Sequence, residues 1–492
     1  MSREELIKEN SALKAQLQHT LDEIAQLKRL IYGRKSERFV AVDPSPNQLS
    51  LFEDPITPLP QEAEAPKETI SYERKKKTSN HAGRQLLAGC QHLPLETQTI
   101  EIPHSADAIK IGDNITELLA YRPGKLYRRQ IIRPKYKELN TEQIICAELP
   151  AQAIPKCEAD HSLLASIMVS KFVDHLPEYR QQEIFKRESV NIPSSTMNNW
   201  THQIANLMRP VAHHIKAQLL SAEYIQMDES TIRVMSGKKQ GTHMGYMWVV
   251  NSPPDNAVYF EYHTGRGKQV PTEILSNYSG ILQTDAYGGY ENILMVNKNI
   301  THAGCIAHAR RKFELALTGP HKHIAESVLV QMQKLYAIES NCRENNYDLH
   351  QRLAVRQESV IILNELKNYF TQPQLILPPS SLLYKAIAYM LKRWAIFEVF
   401  TKSAIVEIDN NLIENAIRPL ALGRKNYLFA GNHEAAKNIA TFYTIYGTCR
   451  KLKVNPYDYT FWFLNNIPNI KINQIADVSP LAYKLSLEQD NM

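Results

Sequence analysis

Apolar positions near the start of the chain recur at alternating intervals of four and three residues. The positions of this seam are Leu6, Asn10, Leu13, Leu17, Thr20, Ile24, Leu27 and Ile31. The spacing is typical of a coiled coil. A buried Asn at heptad position a of such a coil fixes the register and favours a pair of helices. We therefore predict a dimerising helix within residues 1–38, with a helix packed on its own chain as the alternative.

The helical period is lost over residues 39–85, where prolines recur without a hydrophobic pattern. This composition predicts a flexible linker. Within the linker lies a basic run formed by Arg74, Lys75, Lys76 and Lys77. Cations on such a segment suit contacts with phosphate groups, and a solubilising linker is the alternative reading.

Alternation of apolar and polar residues returns over residues 86–155, which predicts a small β-rich module that carries Arg128 and Arg129. Residues 156–220 have helical spacing instead. A helix through Phe185 is followed by a turn and then by a second stretch of helical pattern. This order predicts a helix-turn-helix, for which a purely structural helix pair is the alternative.

The second helix of this pair would be capped by Ser194 or Ser195, since Ser side chains accept hydrogen bonds from the first backbone N–H groups. Its first exposed turn would present Thr196, Asn198 and Asn199 to a DNA groove.

From residue 221 the pattern becomes strand-like. Asp228 lies in the middle of the first strand, two further strands form a hairpin around the sequence PPDN, and a fourth ends just before Asp285. A long helical region follows, and Glu414 lies in a late helix. The expected segments are 1–38 (coiled coil), 39–85 (linker), 86–155 (β-rich module), 156–220 (DNA-binding helices), 221–318 (first part of the core), 319–400 (helical insertion), 401–465 (second part of the core) and 466–492 (C-terminal tail).

Composition narrows the class of protein. The chain has 492 residues, 43% of them hydrophobic, which predicts a folded protein of two to four domains. The net charge of +6 arises from clustered Lys and Arg, which favours a nucleic acid partner over a merely solvated basic face. Six cysteines without a CxxC pair suit a reducing cytosol, and the absence of an apolar run of about 18 residues predicts no membrane span.

Three acids on separated segments predict a metal site. The order of strands and acids resembles the ribonuclease H-like fold, an α/β architecture in which Asp228, Asp285 and Glu414 would converge. Three adjacent carboxylates repel one another unless a cation lies between them. Two Mg²⁺ ions about 4 Å apart would stabilise the attacking and the leaving oxygen when a phosphodiester is cleaved or joined. Mn²⁺ is an alternative ion.

Cations follow Glu414 within three turns of the same helix. Arg418, Arg424 and Lys425 would hold the DNA backbone that enters the site. The alternative is a surface ion pair between Glu414 and Arg418, which are four residues apart.

Several segments together resemble transposases of the insertion sequence 66 family, which belong to the DDE transposases. These segments are VSKFVDHLPEYRQQEIF, SSTMNNW, QMDEST, GYMWVV, GILQTDAYGGY, CIAHARRKF and DNNLIENAIRPLALGRKNYLFAG. The resemblance covers roughly residues 3–465. It implies that Asp228, Asp285 and Glu414 form the catalytic triad, with a helical insertion between the second and third acids.

One departure concerns zinc. Members of the family usually carry two CxxC pairs after the basic linker, whereas this chain has IPHSADAIKIGD and RPKYKELNTEQ at those places. His104 and Asp107 have the spacing of a ligand pair but are poor zinc ligands together, so no zinc is expected.

A second Cys–His pair, Cys305 and His308, supplies too few ligands for zinc, and a packing role is expected for Cys305. The neighbouring Arg310, Arg311 and Lys312 are expected to contact DNA. Core packing is expected for Trp394, with stacking on an unpaired base as the alternative.

The resemblance implies a bacterial, cytoplasmic enzyme that binds the terminal inverted repeats of a mobile element, cleaves the ends and joins them to target DNA. We expect a homodimer or higher oligomer on DNA, assisted by small accessory proteins of the same element. No ATP is implied, because the chain lacks a P-loop. The alternatives are a structure-selective nuclease of the same fold and a non-catalytic DNA-binding regulator.

Overall fold

The structure is a computed structural model. It describes Gly124, Leu126–Arg129, Lys135–Lys137, Ile144–Cys146 and residues 151–235, 241–285 and 287–490. The predicted coiled coil, the linker with Arg74, Lys75, Lys76 and Lys77, and the positions of His104 and Asp107 lie outside these residues. Within the described part the chain has a mixed α/β architecture.

Two short strands are described within the predicted β-rich module. They are β1 (Lys135–Lys137) and β2 (Ile144–Cys146). The strands pair antiparallel, with Tyr136 opposite Ile145.

Three helices precede the main sheet, in the region where helical spacing predicted them. They are α1 (His161–Phe172), α2 (Glu178–Arg187) and α3 (Ser194–Leu220). Asp160 caps α1 by accepting a hydrogen bond from Ser162 N at 2.9 Å. The predicted Ser cap of α3 is wrong: both serines already lie inside the helix, which follows the extended Pro193 and has no side-chain cap.

The main sheet has five strands. They are β3 (Tyr224–Met235), β4 (Thr242–Ser252), β5 (Ala257–His263), β6 (Gly280–Gln283) and β7 (Ile300–Ala303). The spatial order is β5-β4-β3-β6-β7. Strands β3, β4 and β5 form an antiparallel meander that includes the predicted hairpin, and β6 and β7 are added parallel to β3. Strand β7 has no counterpart in the sequence prediction, because four residues are too short for alternation to stand out.

The remaining helices surround the sheet and form the insertion. They are α4 (Gln269–Ile274), α5 (Glu291–Val296), α6 (Ile306–Ala316), α7 (Lys322–Glu344), α8 (Leu349–Val355), α9 (Gln357–Phe370), α10 (Leu382–Lys392), α11 (Trp394–Phe397), α12 (Val399–Lys402), α13 (Asn411–Tyr427), α14 (His433–Leu452), α15 (Pro456–Asn466) and α16 (Pro480–Asp490). The predicted helices after Cys305 and near Glu434 are confirmed. None of the helices in the described ranges is long and apolar enough to cross a membrane.

Helix α14 covers the outer edge of strand β5. Thr444 Oγ1 accepts a hydrogen bond from Phe260 N at 2.9 Å, and Thr448 Oγ1 accepts one from Val258 N at 3.3 Å. An edge strand exposes unpaired N–H groups that would otherwise invite another chain to pair. The threonines of α14 therefore close the sheet on this side.

The helical insertion has its own core around a buried ion pair. Arg356 is fully buried, donates to both oxygens of Glu339 at 2.7 and 2.8 Å, and also donates to the carbonyl of Val406 at 2.8 Å. Trp394 is buried against Phe370, which confirms the predicted core packing.

The segment predicted to be a C-terminal tail contains helix α16. Tyr483 of this helix packs on Trp462 of α15, with ring centroids 4.9 Å apart.

Candidate active site

Asp228 lies in the middle of the central strand β3, opposite Val249 of β4. Its side chain accepts a hydrogen bond from Glu229 N at 2.8 Å. Burial, together with the negative charges of Glu229, Asp285 and Glu414, raises the pKa of Asp228 to about 7. The negative charges of the other two predicted acids, Asp285 and Glu414, thus reach Asp228.

Asp285 follows the carboxyl end of strand β6. Gln283 of β6 pairs with Gln226 of β3, so the chain leaves β6 beside the part of β3 that contains Asp228. The side chain of Asp285 accepts a hydrogen bond from Tyr287 N at 2.9 Å, a local turn that fixes the carboxylate against the strand end.

Glu414 lies in the first turn of α13, where the positive end of the helix dipole favours an acid. Its Oε1 accepts a hydrogen bond from Arg311 Nη2 at 2.9 Å. The alternative pairing with Arg418 is therefore not the one observed. In the described ranges, the His, Cys, Asp and Glu side chains form no group of three arranged to hold a metal ion.

A buried hydrogen-bond network supports the backbone that carries the acids. Gln283 Nε2 donates to the carbonyls of Gly304 at 3.1 Å and Glu407 at 2.7 Å. Gln226 Nε2 donates to Gln283 Oε1 at 2.9 Å and to the carbonyl of Asp409 at 3.2 Å. Each glutamine precedes a candidate catalytic Asp by two residues, so the network ties β3, β6 and the segment before α13 together.

Asp409, the other acid near Glu414 in the sequence, has a structural role. It is buried and accepts hydrogen bonds from Asn411 N at 3.0 Å and from Tyr336 OH at 2.9 Å. These contacts fix the start of α13 and hence the position of Glu414.

Glu229 belongs to the site but was not predicted from sequence. Arg266 Nε donates to Glu229 Oε1 at 2.5 Å, and Tyr290 OH donates to Oε2 at 3.1 Å. Burial raises the pKa of Glu229, whereas Arg266 opposes this effect. Because Arg266 lies 37 positions away, only the adjacency of Glu229 to Asp228 could have singled it out.

Two family models match parts of this chain. The model described as "Transposase IS66 family" matches residues 156–438, more than half of the chain, and contains all three acids. The chain belongs to the IS66 family of transposases. A second model, described as "Transposase C of IS166 homeodomain", matches residues 20–97.

Relatives of this IS66-family chain occur in Sinorhizobium fredii. The uncharacterized protein y4hP is 32% identical over 397 residues, which cover 76% of this chain and 71% of the relative. The uncharacterized protein y4jD is 27% identical over 485 residues, which cover 94% of each chain. The resemblance inferred from the sequence is therefore confirmed, and family membership makes DNA the partner of this chain.

Several cations predicted to bind DNA in this IS66-family chain have partners within the protein. Arg310 pairs with Glu314 at 3.0 Å, and Arg311 contacts Glu414. Lys312 Nζ lies 4.4 Å from the centre of the Tyr389 ring. Of the three, Arg311 is the residue that contacts a candidate catalytic acid.

Of the three cations of α13 that were predicted to bind DNA, two are exposed and one is hydrogen-bonded within the protein. Arg418 and Lys425 are exposed. Arg424 Nη1 donates to the carbonyl of Thr231 at 2.5 Å and to Ser230 Oγ at 2.9 Å, so it anchors α13 to strand β3.

The predicted recognition residues lie at the start of α3. Asn198 and Asn199 are exposed and Thr196 is half-buried. Of the two arginines of the β-rich module, Arg128 is exposed and Arg129 pairs with Asp160 at 2.9 Å.

Two further residues near the acids, Cys305 and His308, have contacts within the protein. Cys305 is buried, and its Sγ accepts a hydrogen bond from Asn410 N at 3.4 Å. His308 Nε2 lies 3.2 Å from Arg311 Nη1, and burial together with the charge of Arg311 lowers the His308 pKa.

Proposed function

We propose that this chain is a DDE transposase that binds the terminal inverted repeats of an insertion sequence, cleaves the element ends and joins them to target DNA. The observation that carries the proposal is that the negative charges of Asp285, at a strand end, and Glu414, in a late helix, both act on the buried Asp228 of the central strand. Family membership supplies the transposase role.

A ribonuclease H-like core is part of this proposal. An antiparallel meander extended by two parallel strands, with the first acid on the central strand, supports it. The order of β3, β6 and α13 along the chain agrees with the order of the three acids.

By ligand type the three acids suit hard divalent cations, although their side chains do not form a metal-holding group within the described residues. Asp228, Asp285 and Glu414 offer only oxygen ligands, which Mg²⁺ and Mn²⁺ prefer. A cation held between them would oppose the burial and the neighbouring negative charges that raise the pKa of Asp228. When bound, such ions stabilise the charge that develops on the attacking and leaving oxygens of a phosphodiester.

The chain's own residues would place DNA at the acids. We assign phosphate contacts to the exposed Arg128, Arg418 and Lys425 and base contacts to the exposed Asn198 and Asn199. Hydrolysis would break the P–O bond at the element end and release a 3′-hydroxyl. That hydroxyl would form a new P–O bond in the target strand and expel the target's own 3′-oxygen, so both steps are displacements at phosphorus.

Strand transfer with labelled repeat ends tests the proposal. Wild-type protein with Mg²⁺ should cleave the ends and join them to a target duplex. Asp228→Asn, Asp285→Asn and Glu414→Gln should each bind the repeat normally but lower cleavage by about 10³-fold, because metal stabilisation of the displacement amounts to several kcal/mol.

The matched control is Asp255→Asn, an acid in the turn between β4 and β5 that lies outside this cluster. Undiminished cleavage by the three acid variants would remove the assignment. Cleavage without joining by the wild type would instead identify a nuclease, and binding without cleavage would identify a regulator.

A further inference from the structure

Helix α13 ends in a strained turn. Leu428, the residue after the helix, has φ +65° and ψ −44°. The carbonyl of Tyr427 accepts a hydrogen bond from Phe429 N at 2.7 Å, which spans Leu428 alone. This is the γ-turn with positive φ at its centre, a rare and strained form, and Leu428 lacks the freedom of Gly.

Strand β3 holds this turn in place. Ala430 N donates to the carbonyl of Arg233 at 2.8 Å, and Met235 N donates to the carbonyl of Ala430 at 2.9 Å. On the helix side, Arg424 is bonded to Thr231. Strain of this kind persists only where the surroundings impose it, and here the central strand does so.

The turn exposes two large apolar side chains, which we call the tip. Leu428 is 62% exposed and Phe429 is 41% exposed. Met235 and Met244, at the adjoining ends of β3 and β4, are also exposed. The chain therefore accepts backbone strain without gaining buried apolar surface at these two side chains, which points to a role in binding rather than in packing.

An exposed stripe of α13 leads from the acids to the tip. Asn415, Arg418, Leu422 and Lys425 are all exposed and follow one another at intervals of three, four and three residues, which places them on one face. The 14 residues from Glu414 to Leu428 correspond to about 21 Å of helix. That length equals roughly six base pairs of duplex.

We propose that the tip is a wedge that inserts Leu428 and Phe429 against DNA bases roughly six base pairs from the phosphodiester at the acids. Arg418 and Lys425 hold the backbone between these two points. Cations along the approach and apolar groups at its end match a ligand with phosphates outside and bases inside. Apolar side chains that enter a base step unstack it. The inference rests on the proposed function, since it places the scissile phosphodiester at the acids.

Leu428→Gly separates binding from folding. Gly adopts positive φ without strain, so this variant should keep or raise the unfolding temperature while it shortens the wedge. Phe429→Ala removes the aromatic group alone. The control is Ile376→Ala, which removes a side chain that is 86% exposed in the helical insertion.

The experiment uses the full chain and a repeat-end duplex with 2-aminopurine placed five to seven base pairs from the cleavage site, with Ca²⁺ in place of Mg²⁺. Wild type and Ile376→Ala should raise the 2-aminopurine fluorescence, which reports unstacking. Phe429→Ala should abolish the rise and weaken binding about tenfold, as expected for the loss of one stacking contact. Leu428→Gly should have a similar effect, because it removes the other apolar contact with the bases.

Unchanged fluorescence and affinity in both tip variants would overturn the wedge. A second result would also overturn the wedge: the tip variants change oligomeric state in the absence of DNA but keep the fluorescence rise. The tip would then bind a second copy of the chain. Neither result bears on the proposed role of the acids, which is tested separately by the loss of cleavage in Asp228→Asn.

Discussion

Arg311 of helix α6 donates a hydrogen bond to Glu414 of helix α13 at 2.9 Å, across 103 positions of sequence. The same guanidinium reaches His308 at 3.2 Å. Without metal, the carboxylate of Glu414 is thus neutralised by an arginine of the protein. A divalent ion bound at the acids, as we propose, would have to compete with this arginine for Glu414.

Removing the arginine should therefore favour metal binding. We expect Arg311→Ala to tighten the binding of Mn²⁺ to the DNA-free protein by up to about fivefold, because partly exposed ion pairs contribute at most about 1 kcal/mol. Titration calorimetry with Mn²⁺ measures this. Arg310→Ala, which breaks only the pair with Glu314, is the control, and equal affinities in all three proteins would contradict the competition.

The pKa of Asp228 predicts how stability depends on pH. Burial and the neighbouring acids raise the pKa of the Asp228 carboxyl in the folded protein from its ordinary value of 3.8 to about 7. Between these values the folded state binds more protons than the unfolded state, so the contribution of Asp228 to the free energy of unfolding falls as pH rises from about 4 to about 7.

Denaturant unfolding in chelator at several pH values checks this. The difference between wild type and Asp228→Asn isolates the group from other acids such as Glu229, whose pKa is also raised by burial. Stability of the wild type that rises relative to Asp228→Asn through the same window would reverse the sign and refute the prediction.

The buried glutamine network should affect metal binding more than DNA binding. Gln283→Ala leaves the buried carbonyl of Gly304 and the partly buried carbonyl of Glu407 without this donor, and the buried one alone should cost about 1–3 kcal/mol. Because Gln283 links β6 to the segment before α13, the acids should lose alignment. The Mg²⁺ concentration that gives half-maximal cleavage should rise, with repeat affinity unchanged.

The exposed Gln372 offers a control for this variant. Gln372→Ala should leave both quantities as in the wild type. A fall in repeat affinity without any change in Mg²⁺ dependence would show that Gln283 does not position the acids.

The buried ion pair of the insertion predicts that two arginines differ greatly in how much stability is lost when each is replaced by Ala. Arg356→Ala leaves the fully buried Glu339 short of its main partner and should destabilise the protein by about 3–5 kcal/mol. Arg343→Ala removes a 56% exposed side chain that lies 3.8 Å from Glu407, and should cost less than about 1 kcal/mol. Thermal unfolding of the two variants side by side decides this, and similar losses would contradict the assigned burial.

Much of this protein follows from its sequence alone. Apolar spacing locates the helices before residue 220 and the strands at Tyr224–Met235 and Ala257–His263, because each pattern lasts long enough for its period to be recognised. The types and order of Asp228, Asp285 and Glu414 point to divalent metal chemistry, and the family is recognisable from short sequence segments that surround these acids.

Other features are decided only by tertiary structure. Glu414 pairs with Arg311 rather than with Arg418 on its own helix, and Glu229 with Arg266, because packing of separate elements and not spacing along one element sets these distances. The register of β3 against β6 brings Gln226 beside Gln283. Leu428 adopts a positive φ although no glycine in the sequence indicates it, because strand β3 imposes the turn from outside the local sequence.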